Sequence, residues 1–463
     1  MTSPGPGAGG RADAPADPLV GPERRAHRAT RIGIAIAAAL VAASVLVPLA
    51  VDWNVHVKGG PPLHGFWDPR FGAGTAPAIA IAVLALVFAA PVAARLRWGW
   101  LLLAAWATGA AWLASLALVD GFDGIAAVLD ADIEYLPTAR EVTDLPATLE
   151  EFIERIPRDH PDNWPIHVAG HPAGALAFFV GLTRIGLGSG AAAGWLVLLL
   201  AATIPVAVLL AMRRFGAEDA ARRAAPFLVL GPSAIWMAVS GDALFAVFTT
   251  WGLCLLAFAT RAASRTATAA WAIGAGLLLG SGVLLSYGLV LMGLLAVAVL
   301  VIGRNWRPLP WAAGAALVPV LVFAAFGFAW WEAYPVLVDR YWDGIASRRP
   351  AAYWIWGDLA ALVCSAGLAA GASVALALVR LREWRRWSRP VEVVVVLTLA
   401  AAATVLLADL SQMSKAEVER IWLPFVPWLL VGTALLPRGA VRPVLFLQLA
   451  LAIALQHLYF FQW

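Results

Sequence analysis

Apolar residues run almost unbroken for about 20 positions at a time, separated by short polar or arginine-bearing links. A run of that length crosses a hydrocarbon core of about 30 Å as a helix, and a helix satisfies its own backbone there. In order, the runs predict spans at 32–51, 76–95, 98–119, 190–212, 224–240, 242–262, 268–285, 287–303, 310–330, 357–380, 391–409, 421–436 and 443–460. The expected fold is all-α: a polytopic transmembrane helical bundle of about 13 spans. Segment 173–186 is also apolar, but its 14 residues rise only about 21 Å, too little for a crossing. A half-inserted or interfacial helix is expected there instead.

Composition agrees. Of 463 residues, 61% are hydrophobic and 13% charged, too few charges to clothe a water-facing surface, so soluble classes are excluded. The formal charge of +4 does not indicate nucleic acid as a partner, because the arginines fall in short blocks between spans. Those blocks (Arg95 and Arg97; Arg213, Arg214, Arg222 and Arg223; Arg261 and Arg265; Arg304 and Arg307; Arg380 through Arg389; Arg438 and Arg442) all fall on one side when the first span starts inside. That is the positive-inside pattern. Residues 1–31, a Gly/Pro/Ala tail ending in an arginine cluster, are expected to be a disordered cytoplasmic tail ahead of a membrane domain at 32–463. Cys254 and Cys364 lie inside apolar runs and read as packed core thiols.

The opposite face carries the loops 52–75, 120–170 and 331–356. Between Asp120 and Gly170 stand twelve acids against three arginines. Within that loop, apolar positions 145, 149, 152, 153 and 156 keep the helical period, so an amphipathic helix lying on the membrane surface is expected over Leu145 to Ile156.

Four places on this face can carry chemistry. Asp130, Asp132 and Glu134 stand beside Tyr135 soon after a span, where partial desolvation can raise a carboxylate toward general-base duty. His167 and His171 are four apart, a metal-pair spacing; but Pro172 marks a helix start near His171, leaving His167 in an extended segment with no third ligand, so no metal site is assigned. Asp242, in the corner Ser240-Gly241-Asp242, is placed to cap the following helix or to face a cavity. Lys415 and Arg420 lie outside against the positive-inside trend, Arg420 next to Glu419 and near Glu417; an arginine there can grip phosphate bidentately or anchor at the interface. Tyr287, Glu332, Asp339, Arg340, Arg348 and Arg349 share the external side, and Trp331, Trp342, Trp354 and Trp356 suit either an aromatic belt or a sugar-stacking surface.

Taken in order, Asp132-Ile133-Glu134-Tyr135, His171-Pro172-Ala173, Asp242-Ala243-Leu244 and the segment 419–422 resemble motifs of the C-type glycosyltransferases. These are polytopic enzymes that draw sugars from polyprenyl-phosphate donors, such as protein O-mannosyltransferases and arabinosyl and aminoarabinose transferases. The likeness covers roughly 100–430. It departs from the family in spacing the acids as Asp-x-Glu, in two extra leading spans, which leave Asp52 or Asp68 as alternative acids, and in Ala173 where a second proline is usual.

The resemblance implies transfer of a sugar from a polyprenyl-phosphate donor to a glycan, lipid or protein acceptor, outside the plasma membrane of a bacterium and among membrane lipids. It implies Glu134 as base with Asp132 or Asp130 as partner or replacement, and Arg420 with Lys415 as phosphate contacts. Tyr135, His167, His171, Asp242, Tyr287 and Glu419 would surround the substrates. Members differ in divalent-cation use, so a divalent cation stays open as a cofactor. The rival reading is a transporter or lipid flippase of cell-envelope precursors, which would concentrate ionisable groups at mid-depth in broken helices. A non-catalytic scaffold is the third.

Overall fold

The computed structural model of the chain describes residues 17–461. Eight of its helices are long and apolar enough to cross a membrane: Glu23–Ala50, Thr75–Arg95, Trp98–Asp120, Gly190–Arg214, Gly241–Thr260, Arg265–Leu285, Arg389–Leu410 and Arg438–Leu458. Two bent pairs raise the number to ten if each is one span. Leu309–Ala325 and Trp330–Trp342 meet at 75°, where Gly327 takes φ +95°. Ala351–Ala366 and Leu368–Leu381 meet at 106°, where Gly367 takes φ +79°, a region open to glycine at little cost. The Gln448 side chain fills the second break: its Nε2 donates to the Ala366 carbonyl at 3.0 Å, and its Oε1 accepts from the Ala369 amide at 3.2 Å. A break in an apolar environment persists only when its backbone groups are paired in this way.

The three other segments expected to cross hold no helix of spanning length, only shorter pieces. In 224–240, helix Glu218–Val229 gives way at Gly231 and Pro232 to the single turn Ala234–Met237. In 287–303, a 3₁₀ turn, Tyr287–Leu291, leads helix Met292–Gly303. In 421–436, Pro424 and Pro427 divide the run, leaving Val426–Leu430 and Val431–Leu435, since proline removes a helix donor and clashes with the preceding turn. A short apolar helix, Ala173–Arg184, occupies the segment expected to be half-inserted.

Two expectations need correction. The first helix begins at Glu23, and before it Leu19 and Val20 are buried while Asp17 pairs with Arg223 at 2.7 Å. The tail expectation therefore fails for 17–31, and residues 1–16 lie outside the described ones. The amphipathic helix stops at Glu151; beyond it Phe152 packs against Trp164 and Phe328, and Phe152, Ile156 and Trp164 are all but fully buried. Arg340 fastens this turn, donating to the carbonyls of Ile156 and Trp164.

The arginine blocks converge at one end and satisfy helix C-termini, whose last carbonyls lack intrahelical partners. Arg222 donates to Ala93 and Leu96, Arg214 to Arg261, Arg223 to Leu436, and Arg389 to Phe215 and Ile302. Helix Gly241–Thr260 ends beside this web. Its 20 residues span about 30 Å, so Asp242 in its first turn lies at the far end. There the all-α expectation meets its one addition among the described residues. Gly65–Trp67 pairs antiparallel with Tyr459–Phe461, tying the outer ends of the first and last long helices together.

Candidate functional site

At the end opposite the arginine web, four chain segments bring charged side chains together. Glu134 leads into helix Tyr135–Glu141 and is 1% exposed. His167 lies on the short helix Ile166–Gly170, held between Pro165 and Pro172, not in the extended segment that was expected. Its amide donates to the Ile133 carbonyl at 3.2 Å, which locks the two segments in register. Arg420 sits on the turn Val418–Ile421.

His167 Nδ1 is 2.8 Å from Glu134 Oε1, and Arg420 Nη2 is 3.3 Å from His167 Nε2. A guanidinium only donates, so Nε2 accepts and the ring proton sits on Nδ1, facing the carboxylate. Arg420 also reaches Asp242 at 3.2 Å and Glu417 at 3.3 Å. Asp242 does not cap its helix: Ser240 accepts from the Ala243 amide at 3.1 Å, which leaves the aspartate free for Arg420. His171 Nδ1 lies 2.8 Å from both the Tyr135 hydroxyl and the His167 carbonyl. The Tyr135 ring stacks on Phe179, centroids 5.0 Å apart.

Burial shapes these groups' acidity, and charge opposes or reinforces it. For Glu134, desolvation pushes the pKa up, but the contact with His167 and the charge of Arg420 outweigh it and hold the carboxyl below its ordinary value. Glu417 is held down to about 2: burial is outweighed by Arg420, His64 and Arg349. Glu419 goes the other way, up to about 8, through burial and the neighbouring Glu417. Neither of its carboxylate oxygens has a hydrogen-bond partner. Burial lowers His171, and it raises Tyr135, with Glu134 and Asp242 adding to the rise.

A cavity of about 700 Å³ opens beside the cluster. Arg420 and Ser240 line one part, Trp236 and Phe461 another, and Lys58, Arg70, Asp120, Asp123 and Gln456 supply polar groups. Asp120 is engaged on both oxygens, by Arg70 and by Gln456 Nε2, the latter at 2.7 Å.

Thus Glu134, Tyr135, His167, His171, Asp242 and Arg420 are brought together. The other candidates sit elsewhere. Asp130 pairs with Arg140 at 2.5 Å and Asp132 is exposed. Lys415 turns its ammonium to the carbonyls of Arg349 and Ala346, over the Trp342 ring. Tyr287, just past the end of helix Arg265–Leu285 that is remote from the arginine web, is buried against Trp330 and Tyr334. Trp354 is fully buried, whereas Trp331 is exposed.

Glu417, one of the two acids expected to orient Arg420, does so, and Arg349, placed only on the external side, joins the cluster; His64 was missed altogether: Arg349 is 2.9 Å from His64 Nε2 and 3.6 Å from Glu417. No local signal links positions so far apart in the chain. Among the described residues no three His, Cys, Asp or Glu side chains gather to hold a metal ion. Asp242 and Glu417 are instead committed to Arg420 and one oxygen of Glu134 to His167. Comparison with protein-family models, curated proteins and solved structures finds no match.

Proposed function

We propose that the protein is a membrane glycosyltransferase that moves a sugar from a polyprenyl-phosphate donor to a glycan, lipid or protein acceptor on the extracytoplasmic side of a bacterial plasma membrane. One observation carries the reading. A buried arginine, held by Asp242, Glu417 and His167, opens onto a cavity of about 700 Å³ at the end of the bundle opposite the arginine web.

A phosphate ester is already a good leaving group, so the site needs a base for the acceptor hydroxyl and a cation for the departing phosphate. The acceptor oxygen bonds to the anomeric carbon, the carbon–oxygen bond to phosphate breaks with its electrons going to phosphate, and the acceptor proton passes to a carboxylate. Arg420 meets the phosphate. Glu134 takes the proton on Oε2, which is buried without a hydrogen-bond partner. Because His167 connects the two, anionic phosphate at Arg420 offsets the positive charge that holds Glu134 down, and the base strengthens as the donor seats. Asp123 on the cavity wall is the alternative proton acceptor.

The test is transfer of radiolabelled sugar from a panel of polyprenyl-phosphate donors to membrane acceptors by wild type, Glu134→Gln, Asp132→Asn and Asp123→Asn. Loss in Glu134→Gln with activity kept in exposed Asp132→Asn is expected. Full activity in Glu134→Gln and loss in Asp123→Asn would move the base to the cavity wall. No transfer from any donor, with carrier movement across the membrane instead, would favour the transporter reading, to which the broken helix pair around Gly367 lends its support.

A further inference from the structure

Glu417 occupies an unusual position. Its Oε1 lies 3.6 Å from Arg349 and 4.0 Å from His64 Nε2, while its Oε2 lies 3.3 Å from Arg420. One carboxylate therefore bridges two guanidinium groups. The arginine side chains are only 5% and 6% exposed, whereas that of Glu417 is 31% exposed. The cations form the floor and the anion sits at the mouth. Two buried arginines facing one replaceable anion make a fork-like receptor suited to tetrahedral phosphate, which offers more acceptor oxygens and more charge than a carboxylate.

The rest of the pocket is built to stay in place without Glu417. Arg349 is fixed by donation to the Lys415 and His56 carbonyls and to His64 Nε2, and Arg420 by Asp242 and His167. His64 Nε2 lies 2.9 Å from Arg349 Nη2, and burial lowers the His64 pKa, which favours the ring form that accepts from the guanidinium. The carboxylate itself stands on a tip of backbone in which Ala416 and Glu417 both take left-handed φ, +66° and +62°, a conformation disfavoured for residues with a side chain. The Ala416 amide is moored to buried Asp358 at 2.8 Å.

We infer that Arg349, Arg420 and His64 form a phosphate site in which Glu417 is a resident stand-in, displaced when a phosphate monoester or diester binds. The inference rests on the proposed function for Arg420 and deepens it. It adds Arg349 and His64 as phosphate contacts and makes Glu417 a self-inhibiting plug, whose removal frees two cations at once. Lys415 is not among the contacts, since its ammonium is committed to carbonyls.

The experiment is equilibrium binding to the full chain in lipid nanodiscs at neutral pH, with farnesyl monophosphate and inorganic phosphate as probes and farnesol as the uncharged control. Glu417→Gln should bind farnesyl monophosphate about ten-fold tighter than wild type, and Arg349→Gln about ten-fold weaker. Arg349→Lys keeps the charge without the fork and should fall between. The Glu417→Gln/Arg349→Gln double variant should lose the gain. Tighter binding of farnesyl monophosphate than of inorganic phosphate identifies a lipid-linked ligand, and equal binding identifies free phosphate.

Unchanged or weaker phosphate binding by folded Glu417→Gln overturns the inference, as does equal binding of farnesol and farnesyl monophosphate. A parallel transfer assay separates the two claims. Transfer with no Glu417→Gln effect on binding sinks the plug and spares the enzyme. The expected binding pattern without transfer from any donor does the reverse.

Discussion

Removing the Arg420–Asp242 pair is the most direct challenge to the site. The two side chains are 6% and 4% exposed and 3.2 Å apart. With an effective dielectric near 20, their attraction is about 332/(20 × 3.2), roughly 5 kcal/mol, before desolvation is subtracted. Much of that gross attraction only offsets burial, but deleting one partner leaves the other charged and dry, which costs about 3–5 kcal/mol. Asp242→Asn should therefore destabilise the protein by a few kcal/mol. Arg420→Gln should cost more, because it also strips Glu417 and His167 of a partner. The double variant should be less damaged than the sum of the singles by about 2 kcal/mol or more, within the range seen for contacting residues. Unfolding followed by detergent titration in mixed micelles, at neutral pH, reads all four corners of the cycle. If the two losses add to within about 0.5 kcal/mol, the pair is not coupled and the cluster described here is wrong.

Two further substitutions have signs that follow from burial. Glu419 has a pKa near 8 folded against an ordinary 4.5, so between those values the folded chain holds a proton that the unfolded chain has lost, and stability falls as pH rises. At pH 7 the penalty is on the order of 3 kcal/mol. Glu419→Gln should recover much of it and flatten stability against pH over that window; an unchanged slope would mean the carboxyl is ionised in place. Gly280→Ala tests the contact between Arg265–Leu285 and Leu309–Ala325: its Cβ would collide with the Ala316 carbonyl, as one at Gly276 would with that of Ala312. A loss of about 1–3 kcal/mol is expected in the same unfolding assay, and no loss would show that the helices can separate freely.

What the sequence made legible was what repeats or stands out locally. Uninterrupted apolar runs gave the long helices, and the arginine blocks gave their sidedness, because both signals are read within about 20 residues. The breaks were less visible. Gly327 and Gly367 look in sequence like glycines that other runs hold inside unbroken helices, such as Gly276 and Gly280. Only the partner Gln448, some 80 residues away, tells the broken position at 367 from the others. The site divides the same way. Glu134, His167, Asp242 and Arg420 were visible as polar residues beside membrane runs. The role of Asp242 stayed open between capping and facing a cavity because Ser240 can also cap, and Ser240 does so. His64 and Arg349 are joined to Glu417 across more than 280 positions of chain for the histidine–arginine contact alone, and nothing in composition or period encodes that meeting.

The placement of Asp358 bears on the choice between enzyme and transporter. A transporter reading needs an ionisable group within a broken helix that changes partners as the protein cycles. Asp358 is the natural candidate, being 1% exposed on Ala351–Ala366, the first half of the sharply bent pair. Yet its Oδ1 accepts from the Ala416 amide at 2.8 Å, at the base of the tip that presents Glu417 and leads into Arg420. The acid is thus spent on holding the turn before Arg420 in a left-handed conformation that residues with side chains avoid. Exchanging that partner would cost a buried amide its acceptor and release the turn that sets Arg420 opposite Asp242. Asp358 therefore works to immobilise the site, which favours the proposed enzyme over an alternating carrier.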